Sequence, residues 1–271
     1  MGLASCLGRR IIMSERINGI EREATGLLES DELRIAKGLV PGTIGWRKFG
    51  HNSVVGTSYE VIGFQGGTYA FPVTTDTLTV VSASTNDTNT AGTHARKLTI
   101  EGLDGSFNAI SETVNLNGTT PVVSALTYRR INRAYVSEAG AYGNGNEGAI
   151  TITHTTTTAT LVLIEALASQ GAQAVYTVPN GQTAYVKKIF LTSESNKPAT
   201  FQFNKRLSAD NTTTPKAVRV ISIITGVEQT VERDNYIHEA FPAKTDMWLV
   251  AKVPAGTAEC SAEFDFVLVA D

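Results

Sequence analysis

The chain has four histidines, His51, His94, His154 and His238, and two cysteines, Cys6 and Cys260. A zinc site or a nucleophile–base pair needs such residues gathered at short, patterned spacings. None of the histidines stands in an HExxH pattern or beside a cysteine, and no two fall within five positions of each other. Each reads as a surface or loop histidine. Cys6 and Cys260 lie near opposite ends of the chain, make no CxxC pair, and predict reduced thiols rather than a disulfide framework. No GxSxG elbow, Walker A loop or dinucleotide fingerprint is present. The glycine-rich stretch Gly143-Asn144-Gly145-Asn146-Glu147-Gly148 runs into a predicted strand. It lacks the following helix whose N-terminus could hold a phosphate.

The carboxylates give no stronger signal. Glu101 and Glu112 flank the Asp104-Gly105 hairpin signal, where a glycosidase pair could form, but they read as sheet-face residues. Asp87 and Asp210 lie in Asn/Thr-rich loops with oxygen ligands for calcium, yet neither loop has the DxDxDG spacing. The sequence therefore predicts no catalytic residue, no cofactor and no metal ligand, and a chain that is not an enzyme. The densest basic cluster of the β-region is Arg129, Arg130 and Arg133. In a strand, Arg129 and Arg133 share a face with Ile131, and Arg130 shares the other with Asn132. Two readings stand: a solvated sheet face, or an ion-pair anchor at a protein interface, where arginine is enriched.

A formal net charge of −3 predicts no nucleic-acid partner, since that needs a basic face. No run of about 18 apolar residues occurs, so no membrane-spanning helix is expected. Leu3-Ala4-Ser5-Cys6 resembles a lipoprotein box without the preceding charged and apolar regions. Met1-Gly2 resembles a myristoylation start, but position 6 is Cys. Met13 is an alternative start, which would make residues 1–12 an upstream extension.

These residues need elements to carry them. Residues 14–38 form the helical window: Ile17, Ile20, Ala24, Leu27 and Leu28 recur at spacings of three and four. Ser14 can cap its start, and Ser30 and Asp31 offer a second cap before Glu32, Leu33, Ile35 and Ala36. Gly38 and Pro41-Gly42 end it, while Gly19 and Gly26 weaken it by about 1 kcal/mol each against Ala. A helix this weak orders only against another surface, so residues 1–39 read as an extension and arm. Its apolar stripe, Ile17, Ile20, Leu27 and Leu28, is the predicted anchoring interface.

From Val40 the pattern becomes β. Charged residues are only 18% of the chain, and Thr, Asn, Ser and Gly take their place, as suits short strands joined by turns. Leu98 and Ile100 point one way while Lys97, Thr99 and Glu101 point the other. Ile110, Val114 and Leu116 share a face of the next strand. Asp104-Gly105 and Asn117-Gly118 are turn dipeptides. The Thr-rich tract from Thr151 to Thr160 starts as a strand. A second domain is expected from Ala172, ending in a C-terminal strand over Glu259 to Val269 that alternates aromatics with small or acidic residues. The prediction is an all-β fold: arm over 1–39, then β-sandwich or jelly-roll-like domains over 40–171 and 172–271.

Several phrases of the sequence resemble virion structural proteins of tailed bacteriophages. They are Gly45-Trp46-Arg47-Lys48-Phe49-Gly50-His51-Asn52, Gly66-Gly67-Thr68-Tyr69-Ala70-Phe71-Pro72 and Leu98-Thr99-Ile100-Glu101-Gly102-Leu103-Asp104. To these add Ser111 to Thr119, Arg130 to Val136, Tyr176 to Tyr185 and Lys244 to Trp248. The resemblance spans roughly residues 40–271 and carries no catalytic residues. It implies a component of the virion, of the head decoration, cement or neck type, made in the host cytoplasm. Implied partners are further copies of itself, with a trimer favoured, and major capsid or neck proteins. A glycan-binding module of a phage fibre is the alternative.

Overall fold

The computed structural model describes residues 14–17, 20–23, 30–234 and 239–271. The chain divides into two compact units, Met1–Thr43 and Ile44–Asp271. In the first, β1 (Ser14–Ile17) and β2 (Ile20–Glu23) pair antiparallel with Ile17 opposite Ile20. Helix α1 (Asp31–Ala36) follows, and Ser30 caps it: its Oγ accepts from the Leu33 N–H at 3.3 Å. Among the described residues, the helix expected over 14–38 is a strand pair followed by a helix over 31–36. The physical reason stands in the sequence: the register leaves Asn18-Gly19 between the strands, and Asn-Gly is a strong two-residue hairpin signal. Of the predicted anchoring residues, Ile17 and Ile20 lie opposite each other in this pair, while Leu27 and Leu28 fall outside the described residues.

The second unit is built of strands. It opens with β3 (Thr43–Val55) and β4 (Glu60–Val61). Next come β5 (Asp76–Ser82), β6 (Ala95–Leu103), β7 (Ala109–Asn115), β8 (Val122–Tyr128), β9 (Arg130–Ala139), β10 (Ile150–His154) and β11 (Thr160–Ile164). The chain closes through β12 (Val175–Thr177), β13 (Gln182–Ser193), β14 (Ala199–Arg206) and β15 (Arg219–Val227). The last strands are β16 (Gln229–Asp234), β17 (Ala240–Phe241), β18 (Asp246–Lys252) and β19 (Ala258–Ala270).

The middle strands make one sandwich. A sheet ordered β11-β10-β5-β8 faces a sheet ordered β7-β6-β9. Between them lie Leu78, Val80, Leu98, Ile100, Val114, Ile150, Ile152 and Leu161. Leu98 and Ile100 are fully buried, as their alternation predicts. Asp104-Gly105 lies between β6 and β7, with Leu103 opposite Ala109. Asn117-Gly118 joins strands that do not pair. It carries the chain from β7 in one sheet to β8 in the other, with Gly118 at φ +59°.

The outer strands make the other sandwich. One sheet is ordered β16-β13-β19-β3, with β17 also on β13; the other is β12-β18-β14-β15, with β4 also on β18. Its core holds Tyr176, Leu191, Phe201, Phe203, Phe241, Leu249, Phe264 and Phe266. Burying each such side chain contributes about 1.5–3 kcal/mol. In β19, Ala258, Cys260, Ala262, Phe264, Phe266 and Leu268 all face inward, which is the alternation read from the sequence. The expected division at 171/172 is not the one the sheets follow. β3 joins the sheet of β13 and β19, and β4 joins β18, so the middle sandwich is inserted into the outer one. Val55 and Ile62 fill the outer core with residues more than a hundred positions away.

Candidate functional site

The three arginines of the predicted basic strand separate once folded. Arg130 is 2% exposed and turns inward from β9 to β18. Its Nε and Nη2 donate to the Asp246 carboxylate at 2.9 and 3.1 Å, and its Nη1 donates to the Pro72 carbonyl at 2.6 Å. Phe71 and Phe107 cover the guanidinium at 5.3 and 5.5 Å. Asp246, 0% exposed, also accepts from Arg206 and from the Thr177 hydroxyl at 2.7 Å. Beside it, Asn132 and Thr177 exchange two hydrogen bonds of 2.9 Å. These contacts tie the inserted sandwich to the outer one. Arg130 is therefore an internal anchor, neither a solvated residue nor an outward-facing one. Arg129 is also buried, and burial with the adjacent Arg130 charge holds its guanidinium below the usual arginine range. Arg133 alone reaches an accessible surface, lying 4.5 Å over the Tyr135 ring with Nη2 3.3 Å from Gln170 Oε1.

The other polar candidates are structural as well. Asp87 is 0% exposed and accepts from Ser82 Oγ at 2.6 Å and from the N–H groups of Ala95, Glu147 and Gly148 at 3.1, 2.9 and 3.0 Å. It clamps two loops rather than facing an open ion site. Asn146 ties the glycine-rich loop inward through the carbonyls of Gly148 and Glu165. Asp210 pairs with Lys244 at 2.9 Å. Glu101 stands opposite Ser111 and Glu112 opposite Ile100, so the two carboxylates leave opposite faces. Glu112 receives the N–H groups of Ala125 and Leu126. His51 meets Ser261, His94 meets Thr93, and His154 is buried against the Tyr128 carbonyl. His238 and Cys6 fall outside the described residues; Cys260 is buried. Among the described residues no three His, Cys, Asp or Glu side chains gather as a metal site.

Two surface features went unread in the sequence. The first is a groove of about 530 Å³ lined by Ile44 to Phe49 of β3, and across from them by Arg133, Gln170 and Gly171. Its floor contains Lys48, 5% exposed, whose ammonium donates to the Asn132 carbonyl. Burial, then the Arg133 charge, lowers Lys48 from 10.5 to about 7, while Glu101 opposes the shift. A buried lysine on an edge strand has no sequence signature here: Lys48 stands next to Arg47 in the same stretch, and nothing local separates the buried cation from the exposed one.

That shift has a stability consequence. Between pH 7 and 10.5 the unfolded chain binds a proton at Lys48 that the folded protein does not. Stability contributed by this residue should therefore rise with pH across that window, by up to about 1.4 kcal/mol per unit. A Lys48→Met variant should lack this rise and be more stable than wild type near pH 7. Urea midpoints at pH 7, 8 and 9 check this; parallel curves for the two proteins would exclude it.

The second feature is the β15 edge. β15 ends its sheet, and Val218, Val220 and Ile223 beside and within it are 50%, 48% and 53% exposed. The neighbouring edge strand β16 is charged instead, with Glu232 and Asp234 both paired to Lys188. On the outer face of the β15 sheet, Tyr59, Tyr69, Phe71 and Trp248 line a hollow of about 250 Å³. The Tyr69 hydroxyl is buried there with no partner among the described residues.

Taken together, these observations define an all-β protein of two tied sandwiches, one inserted in the other, following a short unit with a strand pair and a helix. Particular likenesses are slight. No protein-family profile matches the chain, and no curated protein matches it. The structure of infectious bursal disease virus, Gx strain, superposes with a TM-score of 0.27 at 13% identity, over 84% of this chain and 72% of that one. The Gt strain of the same virus gives 0.26 at 10%, over 83% and 71%. The crystal structure of that virus's VP2 subviral particle gives 0.23 at 10%, over 89% and 78%. Likeness at this level carries neither fold nor role from those proteins to this chain.

Proposed function

We propose that this chain is a non-enzymatic structural component of a tailed-phage particle, acting by contact between copies of itself and with capsid or neck proteins. The observation that carries the reading is the β15 edge. Open edges are usually blunted by charge, proline or a covering loop, because unpaired backbone invites another strand. β16 is blunted in this way and β15 is not. A second copy fits there. An antiparallel pair of β15 strands centred on Ile223 sets the exposed Ile223 of each copy directly against that of the other. It also brings the apolar residues of both strands together. Such a contact closes as a twofold dimer. The trimer implied by the resemblance then needs another surface, for which the arm at residues 1–39 is our candidate.

Ile223→Lys should halve the mass of the assembled species in sedimentation while leaving the β circular dichroism intact. A wild-type protein that sediments as a monomer at high concentration would exclude the self-contact. Cryo-EM localisation tests the particle assignment. The aromatic hollow at Trp248 favours a second reading, a glycan-binding module, because a hollow lined by Tyr59, Tyr69, Phe71 and Trp248 offers aromatic surface to the apolar face of a sugar. A glycan array separates the two.

A further inference from the structure

We propose that the groove between β3 and the Arg133–Gly171 wall binds an extended acidic peptide segment of a partner protein, which adds as a strand to the free edge of β3 and places one carboxylate between Lys48 and Arg133. β3 is last in its sheet, so that edge carries no further strand among the described ones. Its C-terminal part is already taken: the His51 N–H reaches the Ala172 carbonyl at 3.5 Å, and a Cβ on Gly50 would meet the Ile62 carbonyl oxygen at 1.9 Å and the Ala174 nitrogen at 2.4 Å. Its N-terminal part is the groove wall, six consecutive residues from Ile44 to Phe49. That is a track of about 20 Å at strand rise, the shape of an extended peptide rather than of a compact ligand. On the far wall Gly171 is required, since a Cβ there would lie 2.5 Å from Val162 Cγ1.

The charge on the groove selects the peptide's chemistry. Lys48 has three N–H donors, and its one hydrogen-bond acceptor among the described residues is the Asn132 carbonyl. Arg133 gives one contact to Gln170 and turns its face to Tyr135. The acidic group facing this pair is Glu101 on β6, whose Oε1 is held 3.4 Å from the Tyr135 hydroxyl. Arg47, also on β3, is already matched by Asp265 at 2.7 Å and by Glu263. The groove therefore presents two cations against one carboxylate, with donors to spare. A Glu or Asp side chain arriving with its own strand supplies the missing acceptor, and paired charges in a half-buried groove make the stronger class of hydrogen bond.

The inference does not depend on the β15 contact, and the experiment keeps the two apart. Fluorescein-labelled Thr-Val-Glu-Val-Thr and its Gln counterpart are titrated with the full chain, and anisotropy is read. The Glu peptide should saturate, and the Gln peptide should bind at least about tenfold more weakly. Arg133→Gln and Lys48→Met should each lose about tenfold for the Glu peptide. Ile223→Lys should bind it like wild type, whatever its oligomeric state. Affinity for the Glu peptide should fall as pH rises from 7 to 9, as Lys48, flanked by Arg133 and Glu101, gives up its proton. Equal binding of the two peptides, no saturable binding, or binding of free glucuronate without binding of the peptide would each overturn the proposal.

Discussion

Replacing Asp246 with alanine should destabilise the protein by about 3–5 kcal/mol, a large share of what holds a domain folded. Among the described residues, Asp246 is the one carboxylate that answers both Arg130 and Arg206, and it also accepts the Thr177 hydroxyl. Its removal leaves the Arg130 guanidinium, 2% exposed, between Phe71 and Phe107 without a counter-charge. Water cannot reach that position without prising β9 from β18. The loss should therefore show as weaker docking of the inserted sandwich on the outer one, with two unfolding transitions in place of one. The pair itself need not be stabilising. Arg130→Met combined with Asp246→Leu should recover most of the loss, because apolar replacement of a buried pair removes both desolvation costs. Urea melts of the single and double variants decide this. A single variant within about 1 kcal/mol of wild type would show that the network is dispensable.

A second large effect is expected at Asp87. Asp87→Ala should cost about 3 kcal/mol or more, since it strands the N–H groups of Ala95, Glu147 and Gly148 together with the Ser82 hydroxyl. Asp87→Asn should cost nearly as much, because an amide nitrogen placed among donors repels what a carboxylate oxygen accepts. The damage should be local, since the clamped segments are the 84–92 and 140–148 loops at one end of the inserted sandwich. Amide exchange should speed up there while the sheet of β13 and β19 keeps its protection. Calcium should change nothing in wild type or variant. Wild-type protein whose melting temperature rises with millimolar calcium would restore the ion-site reading and remove the clamp.

Some of this was legible residue by residue. The alternation of β19 and of Leu98 and Ile100 is a period-two signal that depends only on neighbours along the chain, and the fold honours it. The helical stripe at Ile17 and Ile20 was outweighed by Asn18-Gly19, a stronger local signal between the same two residues. Asn117-Gly118 is a true turn, but its sequence cannot say whether the flanking strands pair or part. Arg129, Arg130 and Arg133 look alike in the sequence. One is an internal tie, one is buried without full pairing, and one lines a groove, because only the partners brought by β18 and by Gln170 distinguish them.

By itself, the sequence determined an all-β chain with its turn dipeptides, the inward faces of its strands, and no local cluster of catalytic residues. These depend on periodicity and on spacings of a few residues, which the chain carries whatever its tertiary fold. Only the tertiary structure decided that β3 and β4 belong with the last third of the chain, that Asp87 and Asp246 are spent on internal donors, and that Lys48 lies buried beside Arg133. Each of these depends on residues far apart in the sequence. Register between distant strands is set by the packing of whole sheets, and no short window of residues encodes it.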